Sequence, residues 1–124
     1  MLIVETYVAP SQIHGLGLFA SKFIASGTKI WELNNAVNVI LTEADLAELP
    51  PIARTRIQQL FYVDKNGLIT LSFDGSQYIN HSSDPNMDDQ GDSCFALRDI
   101  AEHEEITCNY YATEADAHKK LSGF

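Results

Sequence analysis

The polar segment 78–86, with the sequence YINHSSDPN, concentrates the groups best able to hold a small molecule. Asn80, His81 and Ser82 each add side-chain donors or acceptors to a backbone N–H and C=O. Pro85 fixes its own φ and restricts the residue before it, so this loop is expected to keep a defined shape. Such a loop belongs on a surface or a pocket wall. Taken alone, it fits an ordinary Asx-type turn.

Two further segments change that interpretation. Residues 15–17 read GLG upstream, and residues 104–110 read EEITCNY downstream. Together with 78–86 they resemble the signature set of SET-domain protein lysine methyltransferases. That set has a Gly-x-Gly, then an Asn-His-Ser…Pro-Asn loop, then a Glu-Glu-(Leu/Ile)-Thr segment that ends in a catalytic tyrosine. The resemblance runs from about residue 4 to residue 111.

The resemblance implies a mainly β fold with a few short helices, a β-clip-like arrangement of small sheets with a C-terminal pseudoknot. In the pseudoknot, the segment around 80–81 is threaded through a neighbouring loop and reaches the last strand. We expect one SET domain over 1–124, with a short variable helical insert at 42–62 and a C-terminal helix or tail at 113–124.

The same resemblance implies S-adenosyl-L-methionine as the cofactor and a lysine side chain as the methyl acceptor. Tyr110 matches the catalytic tyrosine. Because the reference pKa of tyrosine is about 10, we expect it to position the amine rather than to remove a proton. Tyr62 and Ala112 are candidates for the substrate channel. Relatives usually have an aromatic residue in place of Ala112, so the number of methyl groups added stays open. The implied cofactor-binding residues are His14, Gly15, Leu16, Tyr78, Asn80, His81 and Tyr110.

Composition restricts the partners. The chain has 17 acidic and 8 basic residues, which disfavours a nucleic-acid backbone and suits a basic protein or peptide, although acidity also serves solubility. Cys94 and Cys108 lack zinc-finger spacing, so no metal site is expected. The N-terminal sequence lacks the features of a signal peptide, and no segment is apolar enough to span a membrane. We therefore expect a cytoplasmic protein.

The elements that must position these residues are short strands and helices. Apolar runs predict strands at 2–8, 28–33, 36–41, 60–64, 68–73, 94–98 and 106–111, with Ile30 facing opposite to Trp31. Residues 88–92 are expected to form a hydrophilic loop. Thr42 is the expected N-cap of a first helix. A second helix from about Ile52 should bury Ile52, Ile57 and Leu60 and turn Arg54 outward.

Two local patterns in the sequence allow more than one interpretation. Residues 15–20 also fit the dinucleotide-binding pattern G-x-G-x-x-G/A, but too few residues follow for a crossover helix, so a tight turn and a short strand are favoured. His103 stands where relatives usually have glycine, which predicts either a turn with some backbone strain or a different turn geometry. Overall the sequence predicts a protein lysine methyltransferase. The alternatives are a catalytically silent module that binds cofactor or a basic peptide, and a structural domain, possibly a homodimer.

Overall fold

The computed structural model describes residues 1–63, 68–89 and 91–109, without the side chains of Tyr62 and Asp89. Tyr110, Ala112 and the predicted helix or tail at 113–124 lie outside these residues. The strands are β1 (Thr6–Pro10), β2 (Leu16–Ala20), β3 (Lys29–Glu32), β4 (Val39–Leu41), β5 (Phe61–Val63), β6 (Ile69–Leu71), β7 (Asn80–His81), β8 (Met87–Asp89), β9 (Ser93–Ala96) and β10 (Glu105–Cys108). The helices are α1 (Glu43–Ala47) and α2 (Pro51–Gln58), with a 3₁₀ turn at Ser76–Tyr78.

A four-stranded sheet brings together the three signature segments, which are residues 15–17, residues 78–86 and the described part of residues 104–110. Its strand order is β1-β2-β10-β7. Among the described strands, β10 is the last in sequence, and it lies between β2, which contains Gly17, and β7, which belongs to the signature loop (residues 78–86). β10 runs antiparallel to β2 and parallel to β7. β1 and β2 form an antiparallel pair, which excludes the parallel crossover that a dinucleotide-binding unit requires.

Two three-stranded sheets complete the described part of the chain, with strand orders β3-β9-β8 and β4-β6-β5. The larger core lies between the first of these and the four-stranded sheet, around the fully buried Leu18, Ile30, Ile100 and Ile106. A second, smaller cluster joins the β4-β6-β5 sheet to the helices through Leu46, Phe61, Ile69 and Leu71. The signature segments therefore rest on the larger core.

Three strand predictions were wrong in detail. The first strand begins at Thr6 and continues to Pro10, instead of covering 2–8. Ile30 and Trp31 are both buried, because the pairing of β3 with β9 shifts between Lys29 and Trp31 and breaks the alternation of faces. Residues 87–89 form β8 and pair with β9, so the acidic segment is partly a strand instead of a loop.

The first helix follows its local signals. Thr42 is its N-cap: its hydroxyl accepts from the Asp45 amide, and the Asp45 carboxylate accepts from the Thr42 amide. This reciprocal capping box satisfies donors that a helix start otherwise leaves unpaired.

Side-chain directions on α2 were predicted wrongly. Arg54 turns toward α1 and donates to the carbonyl oxygens of Leu46, Ala47 and Leu49, which lie at or just beyond the end of that helix. Ile52 is 76% exposed and Leu60 is also exposed, so only Ile57 of the predicted apolar face packs against the core. Over the described ranges, no helix has the length and apolar character needed to cross a membrane.

Candidate active site

The pairing of β7 with β10 decides which side chains can meet. Thr107 lies opposite Asn80, and Glu105, two residues earlier on β10, points to the same face of the sheet. Ile106 and Cys108 point to the opposite face, where they join the larger core. The alternation along one short strand therefore directs polar groups toward the signature loop and apolar groups away from it.

Asn80 connects the signature loop to the glycine loop, which we define as residues 11–17. Its Nδ2 lies 3.1 Å from the carbonyl oxygen of His14 and 3.1 Å from that of Leu16. The same nitrogen lies 2.9 Å from Oε2 of Glu105. Asn80 is only 5% exposed, so these bonds form largely out of contact with solvent. One buried amide thus fixes two backbone carbonyls next to β10.

Glu105 reaches the same loop from the other side. Its carboxylate accepts from the Ser11 hydroxyl, with Oγ 2.7 Å from Oε1 and 2.9 Å from Oε2. Ser11 in turn shapes the loop, because its Oγ accepts from the amide of Ile13 at 2.9 Å and its own amide donates to the carbonyl of Gly15. Gly15 has φ +46°, which confirms the predicted tight turn.

Position 17 requires a residue without a side chain, because the Glu105 carboxylate packs closely against the backbone there. A Cβ on residue 17 would come within 2.5 Å of Oε2 of Glu105 and 3.1 Å of Cβ of Ser11. Only a residue without a side chain leaves room for that approach.

Asn86 ties the end of the signature loop to β10. Its Nδ2 donates to Oε2 of Glu104 and to the backbone carbonyl of Glu105, and its Oδ1 accepts from the Thr107 amide at 2.9 Å. The side chain is 1% exposed. Because its side chain bonds to the carbonyl of Glu105 and to the amide of Thr107, Asn86 holds the end of the signature loop against the backbone of β10.

The turn before β10 is strained, which is one of the two outcomes expected from the sequence. His103 has φ +68°, and its amide donates to the carbonyl of Ala20 at 2.7 Å. Its Nδ1 is hydrogen-bonded to the Tyr7 hydroxyl at 3.0 Å. Glu104 closes the turn by accepting from the Ala101 amide. These contacts fix the direction in which β10 leaves the turn.

Asp74 anchors the approach to the signature loop. It accepts from the Leu2 amide at 2.7 Å and from the Ser76 hydroxyl at 2.7 Å. Burial acts to raise the pKa of Asp74, but these hydrogen bonds outweigh it, and the pKa lies below its ordinary value.

The structure brings together the predicted residues His14, Gly15, Leu16 and Asn80. Tyr78 and His81 flank Asn80 along the chain, and both are partly buried. Their roles toward a cofactor stay predictions. For Tyr62 only the backbone, within β5, is described, and Tyr110 and Ala112 follow beyond Asn109, the last described residue.

The sequence analysis assigned no individual role to Ser11, Glu105 or Asn86. Glu105 and Asn86 belong to quoted motifs, but their contacts lie 94 and 21 positions away along the chain. Gly17 was the one sequence signal for the Glu105 contact: a glycine inside a strand, where no turn requires it, often marks a close approach by another group. In the described segments, no group of three or more His, Cys, Asp and Glu side chains is arranged to hold a metal ion.

Comparison with known proteins agrees with the three motifs. The family model described as the SET domain matches residues 15–111, and the chain belongs to that family. "Putative histone-lysine N-methyltransferase 1" of Plasmodium falciparum is 32% identical over 130 residues, covering 95% of this chain and 2% of the relative. Histone-lysine N-methyltransferase trr of Drosophila melanogaster is 32% identical over 127 residues, covering 93% of this chain and 5% of the relative. The chain thus spans only a small part of the length of these curated relatives.

Solved structures share the fold. The crystal structure of a "putative histone methyltransferase" from Plasmodium falciparum superimposes with a TM-score of 0.63 at 21% identity, covering 86% of this chain and 93% of that one. Polycomb Repressive Complex 2 of Chaetomium thermophilum contains a region that superimposes with a TM-score of 0.68 at 21% identity, covering 97% of this chain and 17% of that one. The prediction of small β-sheets with short helices in a SET-type arrangement is confirmed.

Proposed function

We propose that this protein binds S-adenosyl-L-methionine and transfers its methyl group to a lysine side chain of a basic protein. The observation that carries the proposal is the position of Asn80. Its amide connects the glycine loop to the strand that leads into Tyr110, so it ties together the cofactor-binding and catalytic motifs of the family. The names of both curated relatives, histone-lysine N-methyltransferases, support the same reaction class.

The residues of the glycine loop fit the methionine part of this cofactor. The carbonyl oxygens of His14 and Leu16 both lie 3.1 Å from Asn80 Nδ2, and carbonyl oxygens are the acceptors that suit the ammonium group of a methionine moiety. Oδ1 of Asn80 has no partner in the described residues and offers a third acceptor. A Cβ built on Gly15 would meet nothing within 4 Å, so a ligand can approach the backbone at this turn.

The remaining roles follow the family pattern. The cofactor would supply the electrophilic methyl group. The backbone of His81, with Tyr78, would contact its adenosine part. The hydroxyl of Tyr110 would orient the lysine amine, since alignment of the reacting atoms contributes up to about 7–11 kcal/mol in favourable cases. Tyr62 and Ala112 would border the lysine. The net charge of −9 favours a basic peptide or histone-like substrate.

The experiment is a transfer assay with methyl-labelled cofactor and a panel of basic proteins, including the chain itself as substrate. We expect the wild-type protein to label at least one of them and Tyr110→Phe to label it at least about a hundredfold more slowly, within the range of one lost transition-state contact. Equal rates would remove Tyr110 from its role.

Two other outcomes would identify the alternatives. Cofactor binding measured by calorimetry, without transfer to any protein in the panel, would indicate a silent binding module. Absence of cofactor binding together with a stable oligomer on size-exclusion chromatography would indicate a structural domain. Either result would contradict the proposed activity.

A further inference from the structure

We propose that Glu105 is a positioning residue for the cofactor: its carboxylate holds the glycine loop and Asn80 in the one arrangement that presents the loop carbonyls to the ligand. This inference rests on the proposed function, because it concerns the same pocket. It adds a residue that acts through Asn80 and Ser11 instead of through direct contact with cofactor or substrate.

Glu105 contacts both residues that shape the pocket, Asn80 and Ser11. Oε2 accepts from Asn80 Nδ2 at 2.9 Å, while both oxygens lie within 3 Å of Ser11 Oγ. Asn80 has two amide hydrogens, and three acceptors surround its nitrogen. The carboxylate therefore helps to set the rotation of the amide, and with it the direction of Oδ1.

The Ser11 contact extends this control to the loop backbone. Ser11 donates its single hydroxyl hydrogen to Glu105, which leaves the oxygen lone pairs for the amide of Ile13. The carboxylate thus fixes the orientation of the hydroxyl that organises the turn before His14. Glu105 is partly buried, so water competes only in part for these bonds.

Glu104 provides a matched control on the neighbouring position. Its carboxylate also makes two hydrogen bonds, but they go to Asn86 Nδ2 at 2.9 Å and to the Ala101 amide at 3.0 Å. Neither partner belongs to the glycine loop. A variant at Glu104 therefore removes a carboxylate of the same chemistry from the residue just before β10 and leaves the contacts of Glu105 in place.

Glu105→Gln should weaken cofactor binding selectively. The substituted amide keeps one oxygen and turns an NH₂ group toward either Asn80, whose Nδ2 is a donor, or Ser11, whose oxygen already accepts from the amides of Ile13 and His14. Loss of one such bond predicts a rise in the cofactor Kd of about tenfold. We expect the KM for the protein substrate to change by less than about twofold, since the loop lies on the cofactor side.

The Ser11→Ala variant tests whether the two residues act together. It should also raise the cofactor Kd by about tenfold. Because both variants break the same connection, the Ser11→Ala/Glu105→Gln double variant should show about the same tenfold rise instead of a hundredfold rise. Additive effects would contradict a shared positioning role.

The experiment combines calorimetric cofactor binding with hydrogen exchange of peptides covering 11–17, both on the full chain. We expect Glu105→Gln to raise the cofactor Kd and to speed hydrogen exchange of residues 11–17 about tenfold in the absence of cofactor. We expect Glu104→Gln to lower thermal stability and to leave both the cofactor Kd and the hydrogen exchange of this loop unchanged. Equal effects of the two variants on Kd would overturn it, as would an unchanged loop exchange in Glu105→Gln. If the wild-type chain binds no cofactor, the proposed function itself is contradicted. If the wild-type chain binds cofactor and Glu105→Gln binds it equally well, only the role of Glu105 is contradicted.

Discussion

Replacement of Gly17 by alanine should destabilise the fold through Glu105 and through no other charged group. The new Cβ would lie 2.5 Å from Oε2 of Glu105, whereas ordinary contact begins at about 3.4 Å, so the carboxylate must move by about 0.9 Å. That movement would stretch the 2.9 Å bond from Asn80 Nδ2 to Oε2 beyond hydrogen-bonding distance, whereas the Ser11 hydroxyl can keep its shorter bond to Oε1.

The expected cost follows from the broken Asn80 bond. A hydrogen bond to a charged group contributes about 1.5–3 kcal/mol, and partial exposure of Glu105 favours the lower value. Alanine recovers about 0.4–1 kcal/mol by restricting the unfolded chain, because Gly17 does not require a positive φ. We therefore expect Gly17→Ala to lower the free energy of unfolding by about 1 kcal/mol, measured by urea denaturation with an unchanged m-value.

A double-mutant cycle tests the mechanism. In a Glu105→Ala background the carboxylate is gone, so Gly17→Ala should be within about 0.5 kcal/mol of neutral. In a Glu104→Ala background it should still cost about 1 kcal/mol, because the Glu104 carboxylate contacts Asn86 and Ala101 instead. A cost of Gly17→Ala that is the same in all three backgrounds would refute the reasoning.

Three further predictions concern other parts of the structure. Asn86→Ala should lower the free energy of unfolding by roughly 3 kcal/mol in urea denaturation, because it leaves the buried Thr107 amide without its acceptor; a loss under 1 kcal/mol would contradict this. The pKa of Asp74 in the folded protein lies below its unfolded value, so the stability that Asp74 contributes is present above the unfolded pKa and is lost as the pH falls through the folded pKa. An NMR titration of the Asp74 carboxyl group should show this lowered pKa, and Ser76→Ala should raise it. Trp31→Phe should cost less than about 2 kcal/mol in the same denaturation assay, below the usual cost of truncating a buried tryptophan, because the buried Nε1 of Trp31 has no hydrogen-bond partner among the described residues; a larger loss would indicate that Nε1 is paired.

Local interactions explain what could be predicted from the sequence. The cap of α1 depends on Thr42 and Asp45, three positions apart, and the strained turn at His103 lies within one short segment. The glycine pair 15–17 likewise indicated a turn followed by a strand. Family resemblance added the overall arrangement, which no local pattern in this chain contains.

Long-range contacts explain what could not be predicted. The burial of both Ile30 and Trp31 results from an irregular pairing with β9, more than 60 positions away. The direction of Arg54 depends on carbonyl groups that become available only where α1 ends. The link from Ser11 to Glu105 joins residues 94 positions apart, so neither side chain reveals the contact in its own neighbourhood.

The most direct test of the account is calorimetric titration of the purified chain with S-adenosyl-L-methionine, compared with Asn80→Ala and Asn38→Ala. Asn38 is a matched control, because it is equally buried at 5% exposure and its side chain bonds to the Asn34 amide and the Ser72 hydroxyl, outside the glycine loop. We predict that the wild-type chain binds, that Asn80→Ala binds at least about tenfold more weakly, and that Asn38→Ala binds like the wild type. No binding by the wild-type chain, or equal affinity in Asn80→Ala, would contradict the central claim that Asn80 organises a cofactor pocket.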